Sequence, residues 1–216
     1  NTNKIIKSAT ALGHYSNVVH AKDILSMLFM QTGSKIVKEQ EGRFVPDLAI
    51  VSDGSYDLGN VLKFYTDFAD PQKAVYSWNK SFTNSRDFFS TNNLGFYFGY
   101  ASELASLVNK NPNQNFLVAQ VPQIKGSNTK VTMAQVTGLA ISAASKNSET
   151  ALVVANRLSS GAFASKLAQS LGVAPARRDL LQVRPVDAYF PTFYASAIYA
   201  KSWLDPSPTD TDDIFS

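Results

Sequence analysis

The sequence predicts an α/β fold, and three features of it do so. Stretches that read as strands alternate with segments of helical periodicity, the order expected of strands and helices packed in layers. Apolar residues make up 44% of the 216, enough to bury a core over most of the length. Gly, Asn and Pro fall at the borders of these segments, where turns and helix stops need them.

Residues 5–11 form a short extended start, followed by the polar turn Gly13-His14-Tyr15-Ser16-Asn17. Asn17 is placed to N-cap the next helix, which runs to about Thr32 and stops at Gly33, a C-terminal glycine signal. Residues 38–43 read as a charged loop. A second helix begins near Ser55, with Leu58, Val61, Leu62, Tyr65 and Phe68 on one face, and Asp70-Pro71 ends it. The loop Tyr76-Ser77-Trp78-Asn79 leads to a short helix over 85–90. A strand over 94–98 is punctuated by Gly95 and Gly99, and a helix follows over 101–109, closed by Asn111-Pro112. Residues 116–121 read as a strand, Gly126-Ser127-Asn128 as a turn, and 131–143 as extended with Gly138 inside. Asn147 or Ser148 caps one helix, and Ser160 caps another that ends at Gly172. Residues 177–186 connect to a final helix over 191–203. An acidic, proline-broken tail follows from Asp205.

Several function classes fall away on composition. Net charge is +3, and the 20 Lys and Arg are scattered, with no run longer than Arg177-Arg178, so nucleic-acid binding is not expected. With no cysteine, disulfides, thiolate metal sites and cysteine nucleophiles are excluded. His14 and His20 stand six apart, which is not the spacing of a helical zinc pair, and no metal or cofactor is expected. Neither a glycine-rich phosphate loop nor a Gly-x-Ser-x-Gly elbow is present. No stretch approaches the roughly 20 apolar residues of a membrane span. No secretory leader stands at Asn1, and with no initiating Met the chain is expected to be a processed or trimmed product.

Aromatic and amide residues near turns are the candidates for binding. Trp78, flanked by Ser77 and Asn79, offers an apolar face and an N–H donor, which suit a sugar's C–H faces and hydroxyls; it reads equally as a plug at the edge of the core. Tyr100 lies where a strand ends and a helix begins, the edge at which open α/β sheets hold ligands. Tyr97 reads as core. Around the first helix start, Asn17, His20 and Asp23 form a third candidate, with Asn17 alternatively a cap and His20 a solvated residue. In the last helix Phe190, Phe193, Tyr194 and Tyr199 are mainly core, with Phe193 or Tyr194 placed to reach a cleft. Paired carboxylates for glycoside chemistry would have to come from residues such as Asp87, Glu103 or Asp187.

The order of these segments resembles the bacterial extracellular solute-binding proteins that include maltose-binding protein. The resemblance lies in Ala-Leu-Gly-x-x-x-Asn-Val-x-His-x-x-Asp-Ile-Leu (11–25), Phe64-Tyr65-Thr66-Asp67-Phe68-Ala69, Tyr76-Ser77-Trp78-Asn79 and residues 94–102. It continues through 116–123, 138–146, the Gly172-x-x-Pro175-x-Arg177 turn and Lys201-Ser202-Trp203. The resemblance implies a type II periplasmic-binding-protein-like α/β fold of two lobes. Residues 1–130 and 186–216 would belong to the second lobe, and 131–185 to the first, most of which would lie outside this chain. It implies no enzymatic activity and no cofactor. The implied role is extracytoplasmic binding of a small solute, most often a carbohydrate, for an ABC permease, with membrane attachment only through a lipid anchor or that permease. Asn17, His20, Trp78, Asn79, Tyr100 and Phe193 would contact the ligand. A hydrolase with paired carboxylates and a protein-interaction module are the alternatives; the first needs two acids facing across a cleft, the second a flat apolar patch.

Overall fold

A computed structural model of the chain describes residues 5–48, 58–127, 129–183, 185–205, 207 and 210–212. Its architecture mixes helix and strand, with the α-helices carrying most of the core. Helix α1 (Ala21–Gln31) is central: Ala21, Ile24, Leu25, Met27 and Met30 are buried along it, a wide apolar stripe at helical spacing. It ends as the sequence predicts, with Gly33 in the left-handed region at φ 96° just past the last turn. It does not begin as predicted. Asn17 is not its cap; the helix starts later, and His20 holds the cap position at φ 65° without a side-chain cap bond.

Strand β1 (Ser8–Thr10) pairs in parallel with β4 (Leu94–Phe96), Ser8 opposite Leu94 and Thr10 opposite Phe96. Helix α2 (Leu58–Asp67) packs on α1 and buries Val61 and Tyr65, one turn apart; the expected start at Ser55 lies outside the described residues. Helix α3 (Ser85–Ser90) matches its predicted span, with the Asn84 side chain accepting the Asp87 N–H. A 3-10 turn over Ala101–Glu103 feeds α4 (Leu104–Lys110). These elements close over one core that includes Val18, Trp78, Phe89, Leu94 and Leu107.

The charged stretch 38–43 is not a loop. It forms the tip of an antiparallel hairpin, β2 (Ile36–Gln40) and β3 (Arg43–Asp47), with Gln40 opposite Arg43. Glu41 and Gly42 have φ of 52° and 74°, the two positive values of the turn that suits strand twist. Residues 116–121 join no ladder, so the predicted strand is absent there. The final helix is shorter than predicted: α7 is Phe190–Ala197, and Ala200–Lys201 (β6) instead pairs in parallel with Thr132–Met133 (β5).

Helices α5 (Ser148–Leu158) and α6 (Gly161–Leu171) pack on each other. α5 has no buried residue and α6 only Ala168. Leu152, Val153 and Val154 of α5 are exposed, as is the stripe Phe163, Leu167 and Leu171 of α6. None of the described helices is long and apolar enough to cross a membrane.

Candidate functional site

Because β1 and β4 run parallel, the chain leaves both strands at one edge. From β1 it passes through residues 11–20 into α1; from β4 it turns through Tyr97 and Gly99 into the 3-10 segment. Two connections meeting beyond parallel strand ends is the geometry at which α/β sheets hold ligands. Here the turns bring the His20 and Tyr100 rings together edge-on, 4.9 Å between centroids.

Glu103 organises this ledge. Glu103 is 9% exposed, yet its carboxylate is well supplied with donors. Arg86, reaching from α3, pairs with Oε1. The Tyr97 hydroxyl donates to Oε2 at 3.1 Å and the Tyr100 backbone N–H donates to Oε2 at 2.9 Å. His20 Nε2 stands 3.1 Å from Oε2, close enough for charge attraction although off the line of a straight hydrogen bond. Burial by itself pushes the Glu103 carboxyl up. The His20 ring, the Tyr100 N–H and the Arg86 charge outweigh burial and hold it below the usual carboxylate range. Burial, first of all, pushes the Tyr97 and Tyr100 hydroxyls well above their ordinary value, so both stay protonated as donors. Tyr100 Oη has no well-formed hydrogen bond, though the Asp23 charge acts on it. Gly99 leaves room for the arrangement: a Cβ there would stand 2.5 Å from both Glu103 Oε2 and Tyr97 Cε1.

Of the six predicted contacts, His20 and Tyr100 meet on this ledge. Asn17 and Trp78 do not reach it, because they are spent on each other. Trp78 is 0% exposed, and its indole N–H donates to Asn17 Oδ1 at 2.9 Å. Asn17 Nδ2 donates to the carbonyls of Asn79 and Phe82 at 2.9 and 3.2 Å. Phe82 and Phe88 cover the indole, with centroids 5.0 and 5.4 Å away. A stacking platform needs an open face, and Trp78 has none; it is the core plug of the two readings its loop allows. Asn79 builds the same loop, accepting the Ser81 N–H at 2.9 Å and donating to the Tyr76 hydroxyl at 3.2 Å. Phe193 lies against Phe190 on α7, and that helix is tied to the 116–118 stretch through Thr192 Oγ1 and the Val118 carbonyl.

Arg86, Tyr97 and Glu103 also stand on this ledge; the sequence puts Tyr97 and Glu103 in the same 96–103 stretch as Tyr100 but names neither as a contact, and it does not single out Arg86. Glu103 stands three residues after Tyr100, the spacing at which an acid reaches back to the residue opening a helix, and that was the available signal. Arg86 arrives from a different helix and carried no signal. The other acids weighed for glycoside chemistry have local roles: Asp87 pairs with Lys110, and Asp187 accepts the Tyr189 and Phe190 N–H groups at the start of α7. His20 turns its two ring nitrogens to different carboxylates, Glu103 and Asp23. Among the described residues no three His, Asp or Glu side chains converge as metal ligands would.

Neither curated proteins nor solved structures provide a match to the chain. The family model described as bacterial extracellular solute-binding protein matches residues 4–169, a span that holds β1, the whole ledge, the Trp78 core and α5. That family is extracytoplasmic, serves ABC transport and is generally non-enzymatic, and its periplasmic-binding-protein-like fold agrees with the mixed helix and strand seen here. The chain belongs to the family of bacterial extracellular solute-binding proteins.

Proposed function

We propose that the solute is a carbohydrate, delivered to an ABC permease, and that the ledge of His20 and Tyr100 backed by Glu103 is one wall of its site. The observation that carries this reading is a cluster of aromatic edges, a carboxylate and fixed donors beyond two parallel strand ends. Sugars need such a combination, since their hydroxyls both donate and accept while their C–H faces prefer aromatic rings. Trp78 leaves the list of contacts, and so does Asn17. Phe96, at the carboxyl end of β4 and 72% exposed, supplies the open aromatic face that Trp78 lacks.

The type II arrangement would put 131–185 in the first lobe and the remainder in the second, with Thr132–Met133 paired to Ala200–Lys201 and Val131 packed on Met30 and Ile36 where the two would join. The exposed stripe Phe163, Leu167 and Leu171, with Leu152, Val153 and Val154, supports this: such a face belongs against a sheet. The alternative of a protein-interaction module rests on the same exposed face but leaves the ledge without a role.

Calorimetric titration with a panel of neutral oligosaccharides tests the ligand class. Tyr100→Ala and Phe96→Ala should each weaken binding about tenfold or more, the scale of a lost aromatic contact with its hydrogen bond. A panel that releases no heat with the unaltered chain would refute the carbohydrate reading.

A further inference from the structure

Away from the ledge, the loop after β1 and one side of α2 enclose a half-open cavity of about 260 Å³. That is at the small end of ligand pockets, which run ~300–1,000 Å³, and it suits one ring or a compact charged group. His14 and Tyr15 line it from the loop, Leu62, Tyr65 and Thr66 from α2, and Lys80 from the turn after Trp78. The loop is held on α2 by two fixed contacts. Gly13 has φ 94° and sits so close to Ala69 that a Cβ would fall 2.6 Å from the Ala69 Cβ. The Tyr65 hydroxyl donates to the His14 carbonyl at 3.0 Å.

The charge of this cavity is one-sided. No acid lines it. Among the described residues Lys80 forms no salt bridge. Burial first, and then the Lys80 charge, hold the His14 ring below its ordinary value, so at neutral pH it is mainly an uncharged donor beside a cation. Among the described residues the other titratable groups lining the cavity are the phenols of Tyr15 and Tyr65, with the Asp212 carboxylate bonded to Tyr15. An exposed lysine at the rim of a small partly apolar cavity, beside the uncharged His14 ring and with no ion-pair partner among the described residues, is set for an anionic oxygen group.

We propose that this cavity is an anion subsite, taking the carboxylate or phosphate group of a small solute with Lys80 as counter-charge and His14 as hydrogen-bond donor. It is independent of the carbohydrate reading of the ledge. A bound anion favours the imidazolium, so binding takes up a proton and tightens as pH falls toward the titration of His14.

The test is ring-proton NMR on the whole 216-residue chain, whose only histidines are His14 and His20, with His20→Asn assigning the two signals. Sodium acetate and sodium phosphate are the probes, at ionic strength matched with sodium chloride. The expected result is a saturable shift of the His14 signals and a rise in the pH at which His14 titrates. Whichever of acetate and phosphate saturates at lower concentration identifies the class of anion. Lys80→Gln should weaken the response about tenfold or more, the scale of one charge-assisted hydrogen bond. Leu62→Glu, at a half-exposed position, should abolish it by giving Lys80 an internal partner. A shift that sodium chloride reproduces, or one that Lys80→Gln leaves unchanged, overturns the subsite. Neutral sugars that bind while both anions leave His14 unmoved also overturn it and leave the ledge reading intact. Anions that move His14 while no neutral sugar binds uphold the subsite and remove the carbohydrate reading.

Discussion

Replacing Asn17 by Ala should unfold this protein more readily without touching a ligand. The amide makes three hydrogen bonds, one from the Trp78 indole N–H and two to the Asn79 and Phe82 carbonyls. Each bond to a carbonyl is worth ~1 kcal/mol net, and stranding the indole N–H inside a ring with no exposed surface costs ~1–3 kcal/mol. Together the loss is about 3–5 kcal/mol, or about 2 if a water takes the place of the amide. With a urea slope of ~2 kcal/mol per molar, the midpoint should fall by about 1.5–2.5 M, or about 1 M with the water.

Asn17→Asp sharpens the test. It keeps the acceptor for Trp78 but sets a carboxylate against two carbonyl oxygens that now receive no donor, so it should be worse than Ala. A double-mutant cycle with Trp78→Phe should return a coupling of about 1 kcal/mol or more, because the two side chains satisfy each other. Urea unfolding followed by circular dichroism reads all of these. If Asn17→Ala kept the midpoint while sugar affinity fell, the buried network would be the wrong account and the ligand-contact account the right one.

Four further outcomes follow from the same geometry. Trp203→Phe leaves Trp78 as the sole indole, and its emission should be blue-shifted and resistant to iodide, as a ring without exposed surface requires. Gly99→Ala should lower the urea midpoint by an amount corresponding to ~1–3 kcal/mol and weaken ligand binding together, because the added Cβ displaces Glu103 and Tyr97 at once. Glu103→Gln should flatten the acid limb of the stability curve. The folded carboxyl titrates below its ordinary value of 4.5, so its contribution is complete above that pH and is lost as pH falls below it; the unaltered protein should therefore lose urea resistance below pH 4.5 more steeply than the variant. Gly13→Ala combines an unfavourable positive φ with a contact at 2.6 Å, and should be more destabilising than Gly42→Ala, where φ is also positive but nothing lies near.

Local signals in the sequence carried the helices well and the site unevenly. α6 was legible because its signals are local: Ser160 at the cap position before it, though without a side-chain cap bond, and Gly172 after it in the left-handed region. The β2–β3 hairpin was missed because Lys38, Glu39 and Arg43 look like solvent, while the signal lay in the pair Glu41-Gly42 at its tip. The 116–121 segment was over-read because a strand is defined by a partner, and no periodicity in one segment reports on its neighbour. Trp78 and Asn17 were each singled out separately, Trp78 as ligand platform or core plug and Asn17 as helix cap or ligand contact. What sequence could not tell is that each is the other's partner across 61 residues.

That pairing also bears on the proposed ligand wall, because it holds the ledge from behind. The Trp78–Asn17 network fixes the chain just before His20, and the Ser85 hydroxyl accepts the Val19 N–H at 2.9 Å, so the residue preceding His20 is pinned to α3 as well. His20 then adopts φ 65°, a conformation that an L-residue holds only when its surroundings impose it. α3 also supplies Arg86, which anchors Glu103 opposite His20. One short helix thus sets both sides of the ledge, His20 through Val19 and Glu103 through Arg86. An aromatic–carboxylate surface held from behind in this way binds without first being ordered, which lowers the entropic cost of holding a small polar solute.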